Sequence, residues 1–244
     1  MRYGPACSSH CPHFEVASIK PSVGDGFPGV AFEPGGRFRA VNADVFSLIA
    51  LSFAQGPRAL SPSEIVGAPD WTRTAHYDIT AKVSDALAAS DPLELSAKLP
   101  ALVRTLLQER FKLAAHREPR ELQLYVLHAV RKDAFGSKFS RAASCDQSRA
   151  ECRPSVTVGH ITAHSMPIEQ FIAILSLNAG RTVIDETVLQ GLFDIDLEWS
   201  PDQLAADKPS LFGALEEQLG LKLEATRRPA DVLVVDHVER PTPD

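Results

Sequence analysis

The sequence lacks the features that identify several common classes of protein. It contains no run of five or more residues of like charge, and its net charge is −6, from 25 basic and 31 acidic residues. Because nucleic-acid binding needs clustered Lys and Arg, we expect no nucleic-acid partner. The longest apolar stretches, residues 46–54 and 171–177, are far shorter than the ~20 residues that cross a bilayer, so no membrane-spanning segment is predicted.

The motifs that identify α/β-hydrolases, HExxH zinc peptidases and P-loop nucleotide-binding proteins are also missing. There is no G-x-S-x-G elbow, no H-E-x-x-H and no G-x-x-x-x-G-K-[ST]. We therefore predict no catalytic residue, no cofactor and no metal site, and we favour a protein that is not an enzyme while leaving that question open. The histidines that could act as a base, and the acids that could partner them, are His116, His164 and His237 with Asp78, Asp185 or Asp236. A structural or surface histidine is the commoner role for each.

The four cysteines fall as two close pairs, Cys7 with Cys11 and Cys145 with Cys152. Even, local pairing suits an exported protein, and we note both pairs as possible disulfides, with four free thiols as the alternative. Residues 7–13 also place four potential zinc ligands close together. Structural zinc sites usually take ligand pairs from two separated elements, so incidental sequence is the better interpretation of this cluster.

Some polar and aromatic residues have both a structural and a functional interpretation. His160 and His164 are expected on one face of a strand, roughly 13 Å apart and too far apart to chelate one ion. Asp194 and Asp196 are expected on one face of another strand, roughly 7 Å apart, where a solvated surface is the better interpretation than a pair of catalytic carboxylates. Trp199 is expected to pack in a core, with an aromatic binding surface as the alternative.

The sequence also contains an internal repeat. Residues 106–126 align with residues 216–236 without a gap. The identical pairs are Gln108/Gln218, Lys112/Lys222, Leu113/Leu223, Ala115/Ala225, Arg117/Arg227 and Pro119/Pro229. Two further matches follow in the same order, residues 36–42 with 159–165 and residues 77–79 with 193–195. These matches predict a tandem duplication.

Each half is predicted to be a β-α-β-β-α-β-β unit, which makes the fold class α+β, with small mixed sheets packed on helix pairs. Ser165 is expected to cap the first helix of the second half, and Gly180 and Gly220 are expected to end its two helices. Each half is expected to close with two separate strands. These are residues 112–116 and 122–130, then residues 221–225 and 232–238 with a turn at 227–230.

The boundaries of this organisation follow from composition. We predict an N-terminal extension at residues 1–35 with a short strand at 14–19, a first repeat at 36–131, a linker at 132–158 and a second repeat at 159–241. The linker is rich in Ser, Arg and small residues, which predicts an exposed connection.

Several segments together resemble an uncharacterised family that is expanded in Acidobacteria and carried as a domain of unknown function. They are FEVASIKP at 14–21, GGRF at 35–38, GAPDW at 67–71, YDI at 77–79, LLQERFKL at 106–113, VID at 183–185, GLFD at 191–194, EQLGLKLE at 217–224 and VLVVDHVERP at 232–241. The resemblance implies an exported protein, often lipid-anchored or secreted, and no catalytic residue carries over. The order of elements in the repeat also weakly resembles secretin and TonB short N-terminal domains, which bind other proteins in the periplasm.

The compartment and the function follow as expectations. Residues 1–13 have no apolar central region and are not a signal peptide. The cysteine pairs and the family resemblance nevertheless favour a periplasmic or secreted protein, whose signal or anchor would precede this numbering. A cytoplasmic protein is the alternative. We expect a non-enzymatic binding or sensory module that engages a protein or peptide through a sheet edge or a groove. A hydrolase with a His and acid site between the halves, using His116 or His164, is the alternative, and a structural envelope protein is a third hypothesis.

Overall fold

The fold is mixed α+β, as the sequence predicts. The structure, a computed structural model, describes residues 12–24, 28–54, 59–131, 135–145, 152, 154–201 and 208–242. Within these ranges six α-helices and twelve strands occur, and the strands form three four-stranded sheets. None of the helices in the described ranges is long and apolar enough to cross a membrane.

The chain divides into two compact units. The first unit comprises Met1–Arg120 and Ala230–Asp244, and the second comprises Glu121–Pro229. Each unit has a hydrophobic core of its own. The boundary between the units falls inside two long strands, β6 (Ala114–Ala129) and β12 (Leu221–His237).

The first unit is an antiparallel sheet covered by helices. Its strands are β1 (Val16–Pro21), β2 (Gly29–Glu33), β3 (Arg37–Asp44), β4 (Ile65–Val66) and β5 (His76–Lys82), and its helices are α1 (Val45–Ser52), α2 (Trp71–Thr74), α3 (Asp85–Ala88) and α4 (Pro92–Arg110). The main sheet has the order β1-β5-β3-β2. Alternation along β3 buries Phe38 and exposes Arg37, because successive strand residues point to opposite faces. Phe38 joins Leu48 of α1 and Leu102 of α4 in the core.

The second unit is built in the same way. It contains β7 (Phe139–Ala142), β8 (Ser155–Thr157), β9 (His160–Pro167), β10 (Val183–Asp185) and β11 (Leu192–Glu198), with α5 (Ile168–Ala179) and α6 (Leu211–Ala214), which continues into a π-helix at Leu215–Leu219. Its main sheet has the order β7-β11-β9-β8. The buried face of α5, which includes Phe171 and Leu175, packs on Phe193 and Ile195 of β11 in one core. The third sheet has the order β10-β6-β12-β4.

The two main sheets correspond strand by strand. In each main sheet the strand that comes first in the sequence is at one edge and the second is at the other edge. The third strand lies beside the second. The third strand carries a residue with positive φ in both units, Asn42 (φ 48°) and Ser165 (φ 55°). Short strand β4 runs parallel to β12, and short strand β10 runs parallel to β6. These correspondences fit the repeat in the sequence, and the duplication itself stays a prediction.

Two local predictions are wrong. Ser165 does not cap α5, because Pro167 occupies the N-cap position and the Ser165 hydroxyl donates instead to the carbonyl of Ala143. The closing strands are not interrupted by turns, because β6 is continuous over 16 residues and β12 over 17. In β12 the residues between buried Leu223 and buried Val232 are exposed or half-buried, which resembles a turn in sequence although the backbone stays extended.

The predicted extension and linker also hold strands. Strands β1 and β2 lie in the segment 1–35, and both belong to the main sheet of the first unit. Strands β7 and β8 lie in the segment 132–158, and both belong to the main sheet of the second unit. The strand predicted at 14–19 is present at Val16–Pro21.

Candidate binding site

An open groove lies on the polar face of the second unit's main sheet. It has a volume of about 350 Å³. Its polar lining residues come from β9, from β11, from β7 and from the two residues before β7, and they are Ser137, Lys138, Ser140, Thr162, His164, Asp194 and Asp196. Strand alternation creates this face, because burying Phe193, Ile195 and Leu197 turns the residues between them outward.

The charges on this polar face largely satisfy one another. His160 Nε2 lies 2.8 Å from Asp196 Oδ1, and Lys138 Nζ lies 3.2 Å from Asp196 Oδ2. Partial burial acts to raise the pKa of Asp196, but the hydrogen bonds from His160 and Lys138 outweigh it and hold that pKa below its ordinary value. His164 Nδ1 lies 3.4 Å from Asp194 Oδ1. Asp194 and Asp196 are therefore each contacted by a basic side chain of the same face.

These side chains do not form a nucleophile, base and acid relay. Such a relay needs the hydroxyl on one imidazole nitrogen and the carboxylate on the other. Thr162 Oγ1 lies 2.9 Å from His160 Nε2, which is the same nitrogen that faces Asp196. The other nitrogen, Nδ1, is 4.0 Å from Glu198 Oε1, too long for a hydrogen bond. Thr162 and Asp196 therefore compete for one nitrogen.

The other candidate bases are also held by carboxylates. His116 Nδ1 lies 2.8 Å from Asp236 Oδ2, and its Nε2 lies 3.6 Å from Glu118 Oε2. A hydrogen bond from Arg120 lowers the pKa of Glu118, which keeps that carboxylate ionised. Both ring nitrogens of His116 therefore face acids, which leaves neither directed at a hydroxyl.

The remaining predicted partners have structural roles. His237 Nε2 lies 2.8 Å from Glu239 Oε1. Asp185 accepts hydrogen bonds from the backbone and hydroxyl of Thr187 in a local turn. Of the predicted pairings, the structure brings together His116 with Asp236.

The described ranges show neither a metal site nor the strand-then-helix context of a dinucleotide site. No group of three or more His, Cys, Asp or Glu residues could hold a metal ion there. Cys7 and Cys11 lie outside the described residues. Gly24, Gly26 and Gly29 have the spacing G-x-G-x-x-G, which binds dinucleotides when a helix follows. Here strand β2 follows instead, so this spacing marks no dinucleotide site.

Cys145 and Cys152 form a disulfide bond, with their Cα atoms 5.8 Å apart. Cys152 is fully buried. The bond closes a short loop between β7 and β8, so it ties together the segment that precedes the β8 edge.

Strand β8 is an open edge of the second unit. It stands at the end of the strand order and pairs through Ser155–Thr157 with β9. Val156 is 46% exposed, and Val158, which follows the strand, is 88% exposed. An edge strand presents unpaired backbone N–H and C=O groups on its outer side. Two exposed valines beside such an edge make it a surface that another strand can cover.

A cavity with both polar and apolar lining residues lies at the end of β8. It has a volume of about 260 Å³, and its apolar lining includes Val158, Trp199, Leu211 and Phe212. Trp199 is only 4% exposed, so it packs in the core, as the sequence predicts, and it also lines the cavity. Phe212 is 41% exposed and packs edge-on against Tyr125 at 5.2 Å. The cavity is large enough for one side chain, and these four residues give it an apolar wall.

The sequence did not single out this surface. Val156, Val158 and Phe212 carry no motif, and the edge position of β8 depends on pairing between strands that are distant in the chain. The available signal was the apolar pair Val156 and Val158 inside an otherwise polar segment.

Comparisons with known proteins place the chain in one family. Residues 47–238 match the family described as protein of unknown function (DUF3738). The chain matches no curated protein sequence and no solved structure.

Proposed function

Because the chain belongs to the DUF3738 family, whose description assigns no activity, we propose from geometry that it is a non-enzymatic binding module for an extended protein segment. The segment lies along β8 as an added strand of the second unit's main sheet. The observation that carries this proposal is that, among the described strands, β8 pairs with β9 alone and leaves Val156 and Val158 exposed.

In strand addition, the backbone and the side chains of the added segment contribute to binding in different ways. The backbone of the added segment pairs with the outer N–H and C=O groups of β8, which gives affinity without sequence preference. The segment also covers Val156, removing apolar surface from water. An apolar side chain of the segment enters the cavity between Val158 and Phe212, which supplies the sequence preference.

The arrangement of the histidines supports binding over hydrolysis. The hydrolase alternative requires an imidazole with one nitrogen directed at a hydroxyl and the other at a carboxylate. His116 has carboxylates at both nitrogens, and His164 faces Asp194 through Nδ1. His160 has its hydroxyl and its nearest carboxylate at the same nitrogen. No specific observation favours an enzyme, so we advance binding alone.

The proposed place of action is periplasmic or extracellular. The support is the bond between Cys145 and Cys152, because disulfides persist in oxidising compartments and are rare in the cytosol. A binding partner is therefore expected among envelope or extracellular proteins.

Selection from a phage-displayed library of random linear peptides tests the proposal. We expect peptides that share an apolar residue, and we expect Val156→Lys and Phe212→Ala each to weaken their binding by about tenfold or more, which is ~1.4 kcal/mol. The matched control is Val30→Lys, because Val30 is 38% exposed on β2, the strand at the same place in the first unit's sheet. It should leave affinity within about twofold. Failure to select any peptide, or equal weakening by Val30→Lys, would contradict the proposal.

A further inference from the structure

We propose that the second unit binds an oxyanion, the carboxylate or phosphate group of a ligand, in a cavity lined by Arg181 and Arg227. The cavity has a volume of about 310 Å³. Its other lining residues are Gln123, Ala225 and Thr226. It shares no lining residue with the cavity at the end of β8, and the inference does not depend on the proposed function.

The charge of the lining points to an anion. Two arginines and a glutamine line the cavity, and no acidic residue of the described ranges does so. Two like charges that face the same space repel one another, and an anion between them removes that repulsion. The guanidinium fork matches the oxygen spacing of carboxylate and phosphate groups, and the amide of Gln123 can add a further hydrogen bond.

Arg181 is held in place without consuming its hydrogen-bond donors. Its guanidinium carbon lies 5.3 Å from the centre of the Tyr125 ring. The ring attracts the cation through its face, whereas the N–H groups of a guanidinium project within its own plane. Stacking on Tyr125 therefore orients Arg181 and leaves its donors available for an oxyanion.

Two other arginines, the neighbouring Arg228 and the repeat-related Arg117, are placed differently from Arg227. Arg117 is aligned with Arg227 in the sequence repeat, but in the first unit it donates to the backbone carbonyl of Phe53 at 3.0 Å. Arg228 follows Arg227 on β12, points to the opposite face and pairs with Glu186 at 2.5 Å. Both of these arginines are engaged within the protein, whereas Arg227 lines the cavity beside a second cation.

Isothermal titration calorimetry of the full chain with inorganic phosphate at low salt tests this site. We expect measurable binding that Arg181→Gln and Arg227→Gln each weaken by about tenfold or more, because each removes a charge-assisted hydrogen-bond donor. Arg227→Lys keeps the charge and loses the fork, so it should weaken binding less than Arg227→Gln. Arg228→Gln is the control, because it makes the same change in net charge on the other face of β12. It should change affinity by less than about twofold.

Two further arms identify the source of the oxyanion. A short peptide with a free C-terminal carboxylate, and the same peptide with an amidated end, are titrated in parallel. Binding of phosphate identifies a phosphate ligand, and binding of the free-acid peptide without its amide identifies a carboxylate ligand. Circular dichroism of each variant checks that it is folded. Absence of binding by every probe, or weakening by Arg228→Gln equal to that by Arg227→Gln, would overturn the proposal.

Discussion

The backbone N–H of Ser165 donates a hydrogen bond to Oδ1 of Asp194 over 3.0 Å. The same bond joins Asn42 to Oδ1 of Asp78 over 2.8 Å in the first unit. In both places the donor has positive φ and lies where the register between the two central strands shifts. A carboxylate on the neighbouring strand therefore holds each shifted backbone in place.

Replacing these carboxylates should destabilise each unit. Asp194→Ala leaves a backbone N–H without its side-chain acceptor, so we expect the free energy of unfolding to fall by about 1–3 kcal/mol. Asp194→Asn keeps an acceptor oxygen and should lose less. Asp78→Ala and Asp78→Asn are the matched pair in the first unit. Urea denaturation measures all four variants, and equal losses for Ala and Asn at either position would refute the role of the acceptor.

A second prediction concerns the close approach of Gly136 to the π-helix. A Cβ atom added at Gly136 would lie 2.1 Å from the carbonyl oxygen of Gln218, and the Gly136 N–H donates to the carbonyl of Leu219 at 3.0 Å. Gly136→Ala must therefore separate the two segments, and we expect a loss of about 1–3 kcal/mol or more in denaturant unfolding.

The control for this substitution is Gly29→Ala. A Cβ atom at Gly29 would have no atom within 4 Å, so this variant should stay within about 0.5 kcal/mol of the unsubstituted protein. If both alanine variants were equally stable, the close approach would not constrain the fold.

A third prediction concerns the disulfide. The bond between Cys145 and Cys152 spans a sequence separation of 7, so a reducing agent should lower the free energy of unfolding by about 2–3 kcal/mol on the chain-entropy model. In the double variant Cys145→Ala with Cys152→Ala, this effect of the reducing agent on the free energy of unfolding should be lost. Any effect that remains reports on Cys7 and Cys11. Stability that is unchanged by reduction in the unsubstituted protein would contradict this prediction.

The sequence predicted the regular elements well because their apolar spacing records burial on one face. Ile168, Phe171 and Leu175 have helical spacing, and all three are buried along α5. Gly180 and Gly220 end the second unit's helices with φ values of 68° and 70°, as glycine without a Cβ allows. These features depend on neighbours within a few residues.

The features that the sequence missed depend on distant parts of the chain. The positive φ of Ser165 has no local sequence signature, although its alignment with Asn42, a residue tolerated in the left-handed region, was an available signal. The β8 edge and the two cavities arise from strand pairing and from residues far apart in sequence. Periodicity cannot place such residues together.

Hydrogen–deuterium exchange with a selected peptide tests the central proposal most directly. An added strand gives hydrogen-bond partners to the outer backbone groups of β8, so its amides should exchange more slowly when the peptide is bound. We predict slower exchange in Ser155–Thr157 and no change in Gly29–Glu33, the edge strand of the first unit. Unchanged exchange in Ser155–Thr157 on saturation with a bound peptide would contradict strand addition at β8.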